Sequence, residues 1–277
     1  MTWRFGVDIG GTFTDVALID EASGAIGVAK TPTTPDDFGR GVLNGLNDAL
    51  AKYGMHAAEV TLLSHATTVV TNALLEQKGA NIALVSTKGF RDVLELRRSA
   101  RADLYDLFQD PPAVLVPRHR RLEITERVGA DGSVVIPLAE DELPGLIDQL
   151  KALDVEAVAV SFLFSFQNDA HEKAVGAAIR AAMPGVPVFL SCEVLPEIRE
   201  FERTSTTAVC AYVGPILDSY LKRLQDATGS LGLPELMVMG SAGGVLDVPG
   251  ALAMPAAAVE SGPAAGVIAA QLIGRQL

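Results

Sequence analysis

The sequence is poor in aromatic residues, cysteines and basic residues. Aromatic residues make up 5% of the chain, which argues against a platform on which nucleic-acid bases stack. The formal net charge is −12, with acids and bases mixed along the chain, and this argues against the basic face of a nucleic-acid binder. The two cysteines, Cys192 and Cys210, have neither CxxC nor zinc-site spacing. We therefore expect both to be reduced and buried in a cytoplasmic protein.

Long hydrophobic runs are also missing. The longest apolar stretch, residues 155–166, contains Glu156 and is too short to span a bilayer, while residues 251–273 include Glu260 and two prolines. The N-terminus becomes polar within a few residues and begins a strand at once, which argues against a signal peptide. We expect a cytoplasmic protein without a membrane span. A chain of 277 residues, 49% of them hydrophobic, suffices for two packed cores.

Residues 5–20, FGVDIGGTFTDVALID, concentrate polar groups in one turn. Alternating apolar residues predict two strands joined at Gly10 and Gly11, which can adopt a positive φ without steric cost. Such a turn can direct backbone N–H groups at a small anion, and Thr12 and Thr14 add hydroxyl donors.

Two carboxylates, Asp8 and Asp15, stand at the strand ends beside this turn. Carboxylates next to backbone and hydroxyl donors suit a phosphate chain whose Mg²⁺ keeps several waters and is held through them. The alternative is an ordinary hairpin, which a Gly-Gly turn alone would favour. The whole string from Asp8 to Asp15 favours the phosphate site, because so many polar groups converge on one turn.

The chain that follows alternates between strand and helix patterns. Thr34 is the expected N-cap of an amphipathic helix, with Pro35 at the first helical position. This alternation predicts a parallel sheet with right-handed crossovers. The predicted elements are a strand at 28–30, the helix from 35 to 50, a strand at 61–64, a helix at 67–77 and a buried strand at 82–86.

Residues 90–130 interrupt this alternation of strands and helices, since they are rich in arginine and proline and lack clear periodicity. We interpret them as an insertion on the α/β domain. A hairpin that turns at Asp131-Gly132 follows. A later helix, residues 203–227, contains Pro215, which should kink it or split it in two.

The run SHATTVVTNALLEQKG places His65, Thr67 and Thr68 between a predicted strand and a helix N-terminus. A helix N-terminus binds anions through its free N–H groups and its dipole. The alternative is purely structural: His65 is then a loop histidine with satisfied hydrogen bonds, and Thr67 an N-cap.

Two glycine-containing motifs follow near the end of the sequence. GSAGGV begins directly after a predicted strand, and its Gly243 and Gly244 leave backbone N–H groups unobstructed, although glycines are common in such turns. ESGPAAGV predicts a helix start with Ser261 or Gly262 as the cap and Pro263 at the first position. This helix start either binds an anion or only begins a tightly packed helix that binds no ligand.

Charged residues within the predicted insertion and in the segment at 197–203 offer a second kind of anion contact. Arg199 or Arg203 could face a cleft, with a solvated helix face as the alternative. Arginines of the insertion could meet an anionic substrate or a partner subunit, or simply form a solvated surface: Arg91, Arg97, Arg98 and Arg101.

Residues 5–20 resemble the first phosphate loop of the actin, sugar-kinase and heat-shock chaperone ATPase superfamily. In their full form they resemble the hydantoinase A/5-oxoprolinase family within it. SHATTVVTNALLE resembles that family's HGTTVATNALLE motif, and SGPAAGV matches another of its motifs. GSAGGV stands where the family has MQSNGG and lacks the amide side chain of that motif.

The resemblance implies an α/β, actin-like ATPase (ribonuclease H-like) fold. Residues 1–195 would form the N-terminal domain, the first lobe, with the insertion at about 90–130. Residues 196–277 would begin a second, truncated lobe. The sequence contains no HExxH, Ser-His-Asp elbow or GK[ST] P-loop, so it is not a Walker-type ATPase.

The resemblance also implies an activity, the ATP-dependent opening of a cyclic amide such as a hydantoin or 5-oxoproline. Asp8 and Asp15 would place Mg²⁺ through water, and His65 would contact the substrate or stabilise charge. A hydantoinase B-type subunit or domain is the implied partner. The residues implied to hold ATP are Gly10, Gly11, Thr12, Thr14, Thr67, Thr68, Gly243, Gly244, Ser261 and Gly262.

Two alternatives remain open. One is a subunit of an ATP-dependent ketone carboxylase, because acetone and acetophenone carboxylases share these motifs. The other is a non-catalytic nucleotide-binding half-domain that needs a partner chain.

Overall fold

The computed structural model describes residues 2–34, 37–99, 103, 105, 106, 108, 109 and 112–275. Its strands are β1 (Trp3–Ile9), β2 (Phe13–Asp20), β3 (Ile26–Pro32), β4 (Val60–Ala66), β5 (Ile82–Thr87), β6 (Arg121–Ile124), β7 (Arg127–Val128), β8 (Val134–Ile136), β9 (Ala157–Ser161), β10 (Val188–Leu190), β11 (Leu236–Met239) and β12 (Val245–Asp247). Its α-helices are α1 (Phe38–Tyr53), α2 (Val69–Leu75), α3 (Val93–Leu96), α4 (Leu143–Ala152), α5 (Ala170–Ala182), α6 (Ser191–Val194), α7 (Glu200–Ser230), α8 (Val248–Ala253) and α9 (Ser261–Gly274).

The described residues form two compact units. The first consists of residues 1–78 and 216–277, and the second of residues 79–215. Helix α7 therefore begins in the second unit and ends in the first. This division follows spatial contacts, whereas the boundary expected near residue 195 divides the chain in sequence order and stays a prediction.

The first unit is built on a six-stranded sheet with the order β12-β11-β4-β1-β2-β3. Strands β1, β2 and β3 form an antiparallel meander, while β1, β4 and β11 run parallel to one another. Side chains alternate between the two faces, and one face packs on α1. Gly45 brings α1 close to that face, since a Cβ there would lie 3.0 Å from Val16 Cγ2.

The second unit contains a parallel four-stranded sheet with the order β10-β9-β5-β6. Every residue of β5 and β9 is buried, as expected for parallel strands covered on both faces. Helices α4 and α5 contribute Leu146, Leu150, Val175 and Ile179 to its core. The predicted buried strand at 82–86 is thereby confirmed.

Two local predictions are confirmed in full, and two others only in part. The third strand is present as β3, and β7 and β8 form the hairpin with Gly132 in a left-handed conformation at φ 81°. Residues 121–124 of the expected insertion form β6, so this part of it belongs to the second sheet. Cys210 is buried and unbridged, and Cys192 is unbridged but only partly buried.

Three helix predictions need correction. Helix α1 begins at Phe38 with Asp37 as its N-cap, because the Asp37 carboxylate accepts a hydrogen bond from the Arg40 N–H, whereas the Thr34 hydroxyl donates to the Asp37 carbonyl. Pro35 lies outside the described residues, as does Arg101. Helix α2 ends at Leu75 rather than near Gln77.

Helix α7 is not split at Pro215, which lies inside one continuous helix. The turns on both sides are fully buried at Val213 and Leu217, and this packing holds the helix together despite the lost backbone hydrogen bond.

Candidate functional site

The turn between β1 and β2 is closed by backbone bonds and by Thr33. The Gly10 N–H donates to the Phe13 carbonyl at 2.9 Å, and the Thr33 hydroxyl donates to the Gly10 carbonyl at 2.9 Å. Gly11 and Thr12 are exposed, and within the described residues no hydrogen bond engages their backbone N–H groups. The turn therefore presents two free donors to solvent.

The expected backbone conformation of this turn is wrong. Neither Gly10 nor Gly11 has a left-handed φ. Gly10 is instead restricted by space, since a Cβ there would lie 3.1 Å from the Phe13 carbonyl oxygen, whereas a Cβ on Gly11 would have no atom within 4 Å. Gly11 thus keeps the approach to the free N–H groups open.

Asp8 and Asp15 lie directly opposite each other on β1 and β2. Both side chains are on the exposed face of the sheet. Lys30 on β3 is the next residue in this cross-strand row, and its Nζ contacts the Asp15 carboxylate oxygens at 2.7 and 3.0 Å. Partial desolvation by the surrounding protein, and secondly the nearby Asp15 charge, raise the pKa of Asp8. The site carries uncompensated negative charge at Asp8.

Thr14 does not face these carboxylates. Successive residues of a strand point to opposite faces, and Thr14 is buried on the α1 side, where its hydroxyl lies 3.2 Å from the Thr33 hydroxyl. The expectation that this hydroxyl reaches a phosphate on the carboxylate face is therefore not supported by its position. Thr14 helps to hold the turn instead.

Strand β4 ends beside β1, with Ala66 opposite Asp8. The Thr68 hydroxyl donates to the Ile9 carbonyl at 3.2 Å, and the Thr67 hydroxyl accepts from the Val69 N–H at 3.2 Å. Both threonine side chains thus bind protein groups at the start of α2. They fix the strand end rather than project into solvent.

Helix α9 begins at the same place. The Ser261 hydroxyl lies 3.2 Å from the Thr67 N–H and 3.3 Å from the Thr67 carbonyl oxygen. A Cβ on Gly262 would lie only 3.1 Å from Asp8 Oδ1. Glycine at this position therefore allows the first turn of α9 to approach the Asp8 carboxylate.

Gly243 and Gly244 form the turn from β11 to β12 with φ 86° and 77°. Strand β11 pairs with β4, so this turn follows the third parallel strand of the same sheet. A Cβ on Gly243 would also lie 2.8 Å from Ile268 Cδ1 on α9. Glycine is thus required here by its backbone conformation, and a larger residue would also make the end of the Ile268 side chain shift.

His65 does not project toward solvent. Its side chain is fully buried on β4, where Nδ1 lies 3.3 Å from the Val7 carbonyl oxygen and Nε2 lies 2.7 Å from the Tyr220 hydroxyl. Burial lowers the pKa of His65 to about 4, so the ring is neutral near pH 7. Both ring nitrogens contact protein groups, which supports the alternative of a satisfied structural histidine, although residue 65 also lines the cavity beside Asp8 and Asp15. Its contact with substrate stays a prediction.

A cavity of about 260 Å³ opens on the exposed face of the sheet, with Asp8 and Asp15 in its wall. The other lining residues are mostly small or apolar, among them Ala66, Met239 and Ala265. This volume lies below the usual range for sites that enclose a whole small molecule. It suits a small group held next to the carboxylates.

Two carboxylates do not make a protein metal cage. Within the described residues no group of three or more His, Cys, Asp and Glu side chains could hold a metal ion. Two carboxylates beside exposed backbone donors do fit Mg²⁺ that keeps waters and binds together with phosphate.

In the same described part of the chain, no helix combines the length and apolar character needed to cross a membrane.

Sequence reasoning missed three residues at this site. Lys30 could have been found from the cross-strand register of β2 and β3. Thr33 binds the hairpin turn from the end of β3, and Tyr220 is 155 residues from His65. Neither of these two leaves a local pattern in the sequence.

Comparison with protein families gives two adjacent matches. Residues 4–183 match the hydantoinase/oxoprolinase N-terminal region, and residues 203–277 match the hydantoinase/oxoprolinase family. An uncharacterized protein of Methanocaldococcus jannaschii is 42% identical over 273 residues, covering 97% of this chain and 40% of that protein. Caprolactamase subunit alpha of Pseudomonas jessenii is 39% identical over 284 residues, covering 98% of this chain and 40% of the subunit.

Solved structures agree with these matches. The crystal structure of ATP-dependent caprolactamase from Pseudomonas jessenii superimposes with a TM-score of 0.85 at 38% identity, over 98% of this chain and 41% of that one. Nucleotide-free acetone carboxylase, studied for its ATP-dependent carboxylation, gives a TM-score of 0.88 at 28% identity, over 98% and 40%. The chain thus spans about two fifths of the length of these relatives.

The structural matches confirm the predicted α/β fold of the actin-like ATPase type. The motifs on which the resemblance rests are divided between the two matched regions: residues 5–20 and SHATTVVTNALLE lie in the first, and GSAGGV and SGPAAGV lie in the second. The chain belongs to the hydantoinase/oxoprolinase family.

Proposed function

We propose that the first unit binds the phosphates of Mg·ATP and that the protein uses ATP to open a cyclic amide. The observation that carries the proposal is the convergence of four distant motifs at one end of the parallel strands β1, β4 and β11. Ligands of open α/β sheets bind at the carboxyl ends of the strands. The motif residues that meet there belong to the β1–β2 turn, the start of α2, the β11–β12 turn and the start of α9.

Different residues of this site contact the phosphate oxygens and the metal ion. The free N–H groups of Gly11 and Thr12 donate to phosphate oxygens, and the first turn of α9 adds its N–H groups and dipole. Asp8 and Asp15 would hold Mg²⁺ through its waters. When bound, the ion neutralises charge that develops on the phosphate oxygens during transfer.

The charge of the site supports this assignment. Asp8 faces a second carboxylate and has lost part of its hydration, so a nearby dication relieves both costs. Lys30 neutralises the charge of Asp15. It lies on β3, and the β2 strand with Asp15 stands between it and Asp8. The uncompensated carboxylate is therefore the one next to α9.

The cyclic amide is the substrate class favoured by the relatives, one of which is an ATP-dependent caprolactamase. Phosphoryl transfer to the amide carbonyl oxygen converts a poor electrophile into one that water attacks, with loss of phosphate as the ring opens. His65 and Tyr220 take no part in this chemistry as reacting groups. They hold β4 against β1 and thereby position the ends of both strands.

Two other functions differ from this one in a measurable way. A carboxylase subunit is favoured by the match to acetone carboxylase, and a nucleotide-binding half-domain is favoured by relatives named as subunits. ADP release is measured with hydantoin, 5-oxoproline or caprolactam, with bicarbonate plus a ketone, and with or without a hydantoinase B-type subunit.

Release stimulated by a cyclic amide supports the proposal. Release that depends on bicarbonate and a ketone replaces it with the carboxylase. Nucleotide binding without turnover, rescued by the added subunit, assigns the half-domain.

A further inference from the structure

The second unit contains a cavity of its own, with a volume of about 680 Å³. This size lies within the usual range for small-molecule sites. Four arginines and two glutamates line it, so its charged groups sum to about +2 in a chain whose net charge is −12. Apolar walls complete the cavity, including Phe90, Leu163 and Phe201.

One of the four arginines is already neutralised within the cavity. Arg98 pairs with Glu202 through its Nε. This hydrogen bond, with smaller contributions from nearby charges that include Arg199, lowers the pKa of Glu202. Glu202 is therefore ionised at neutral pH and is paired with Arg98. One further glutamate lines the cavity, which is fewer than the three remaining arginines.

The other three arginines lack an ion-pair partner in the part of the chain that the structure describes. Arg127 lies over the ring of Phe90 at 4.7 Å from its centre, which fixes the guanidinium at the cavity wall. Arg97 donates from Nη2 to the Pro112 carbonyl at 2.9 Å, but its Nε is buried there without an acceptor. Arg199 is exposed.

A buried donor without a partner is costly. Glu202 Oε2 in the same wall is also buried without a hydrogen bond, so the wall holds one unsatisfied donor and one unsatisfied acceptor. The backbone of the cavity wall is also strained. Arg97, Phe164 and Arg199 all have left-handed φ values, 53°, 54° and 89°, which non-glycine residues adopt at a cost of roughly 1–3 kcal/mol each.

We propose that this cavity binds a small organic carboxylate with an apolar body. The guanidinium groups of Arg97, Arg127 and Arg199 receive the carboxylate, since the planar arginine fork matches its two oxygens. The phenylalanine and leucine side chains cover the apolar body. A carboxylate fits better than free phosphate, because most of the wall is apolar and the surplus of positive charge is small.

This cavity shares no residue with the proposed nucleotide site, because every residue that lines it belongs to the second unit. Its test is a binding measurement without nucleotide. Hexanoate is titrated into the protein and followed by calorimetry, with hexanamide as the neutral analogue and inorganic phosphate as the generic anion.

Hexanoate should bind at least tenfold more tightly than hexanamide or phosphate. The variants Arg127→Gln and Arg199→Gln should each weaken hexanoate binding by about tenfold or more, as expected for lost charge-assisted hydrogen bonds. Arg199 is exposed, so its substitution leaves the fold intact. Arg223→Gln, an exposed arginine of α7 in the first unit, is the matched control and should leave hexanoate binding unchanged.

Equal binding of hexanoate by the Arg199→Gln variant and the control would overturn the proposal. So would the absence of hexanoate binding by the folded protein, or phosphate binding that exceeds hexanoate binding.

Discussion

Asp8 and Asp15 lie directly opposite each other on neighbouring antiparallel strands, and both carboxylates are on the exposed face of the sheet. Two like charges in this arrangement destabilise a sheet. A protein that keeps them there gives up stability, and the ligand proposed for this site recovers it by bringing positive charge.

Replacing Asp8 by Asn should stabilise the ligand-free protein by about 0.5 kcal/mol, because the substitution removes the repulsion between the paired carboxylates. The pKa of Asp8 is raised above its ordinary value of 3.8, so the folded protein binds this proton more readily than the unfolded chain. The penalty is therefore fully present above the raised pKa, falls as the pH drops through it, and disappears only well below 3.8.

Urea denaturation at pH 7 and at about pH 2.5 measures this effect. The gain from Asp8→Asn should be present at the higher pH and absent at the lower one. Asp48→Asn makes the same change of charge on an exposed position of α1 and should show no such dependence. A loss of stability at pH 7 in Asp8→Asn would contradict the assigned repulsion.

Protonation of His65 should destabilise the fold. Its pKa falls from 6.5 to about 4 on burial, so stability is complete above pH 6.5 and declines as the pH drops from 6.5 to 4. The slope for one buried group is up to about 1.4 kcal/mol per pH unit. Comparing His65→Gln with the unsubstituted protein across this range by thermal denaturation isolates the contribution, and an unchanged slope would reject it.

Tyr220→Phe removes the hydroxyl that lies 2.7 Å from His65 Nε2 and leaves that nitrogen buried without a partner. We expect a loss of about 1–3 kcal/mol in the free energy of unfolding. Tyr53→Phe is the comparison, since its hydroxyl bonds backbone groups of Val28 at an exposed position. Equal losses in the two variants would mean that burial of the His65–Tyr220 pair adds nothing.

Gly243→Ala should destabilise the first unit by more than about 1 kcal/mol, because its φ of 86° is strained for alanine and the new Cβ would collide with Ile268. Gly145→Ala in α4 should have the opposite sign, a gain of about 0.5–1 kcal/mol, since a Cβ there has no atom within 4 Å. Chemical denaturation of both variants gives the two signs. Stabilisation by Gly243→Ala would show that the turn does not need glycine.

Local pattern predicted much of this fold. The alternation in residues 5–20 predicted the hairpin, and the buried run at 82–86 predicted a parallel strand. The same alternation also implies that Thr14 and Asp15 face opposite sides of the sheet, which the motif alone did not show. Contacts between distant residues could not be predicted, because the pairing of His65 with Tyr220 depends on how α7 packs.

The candidate site divides in the same way. The glycine and threonine motifs marked the strand ends correctly, since parallel strands bring their carboxyl ends to one edge. They did not show that the Thr67 and Thr68 hydroxyls bind protein groups. Residue type alone does not tell a ligand contact from a structural bond.

Calorimetric titration of Mg·ATP into the protein tests the central claim most directly, with Asp8→Asn and Asp48→Asn measured beside it. Binding that is retained in Asp48→Asn and weakened at least tenfold in Asp8→Asn is the result expected for a phosphate and magnesium site at the β1–β2 turn. Equal Mg·ATP affinity in all three proteins would contradict it.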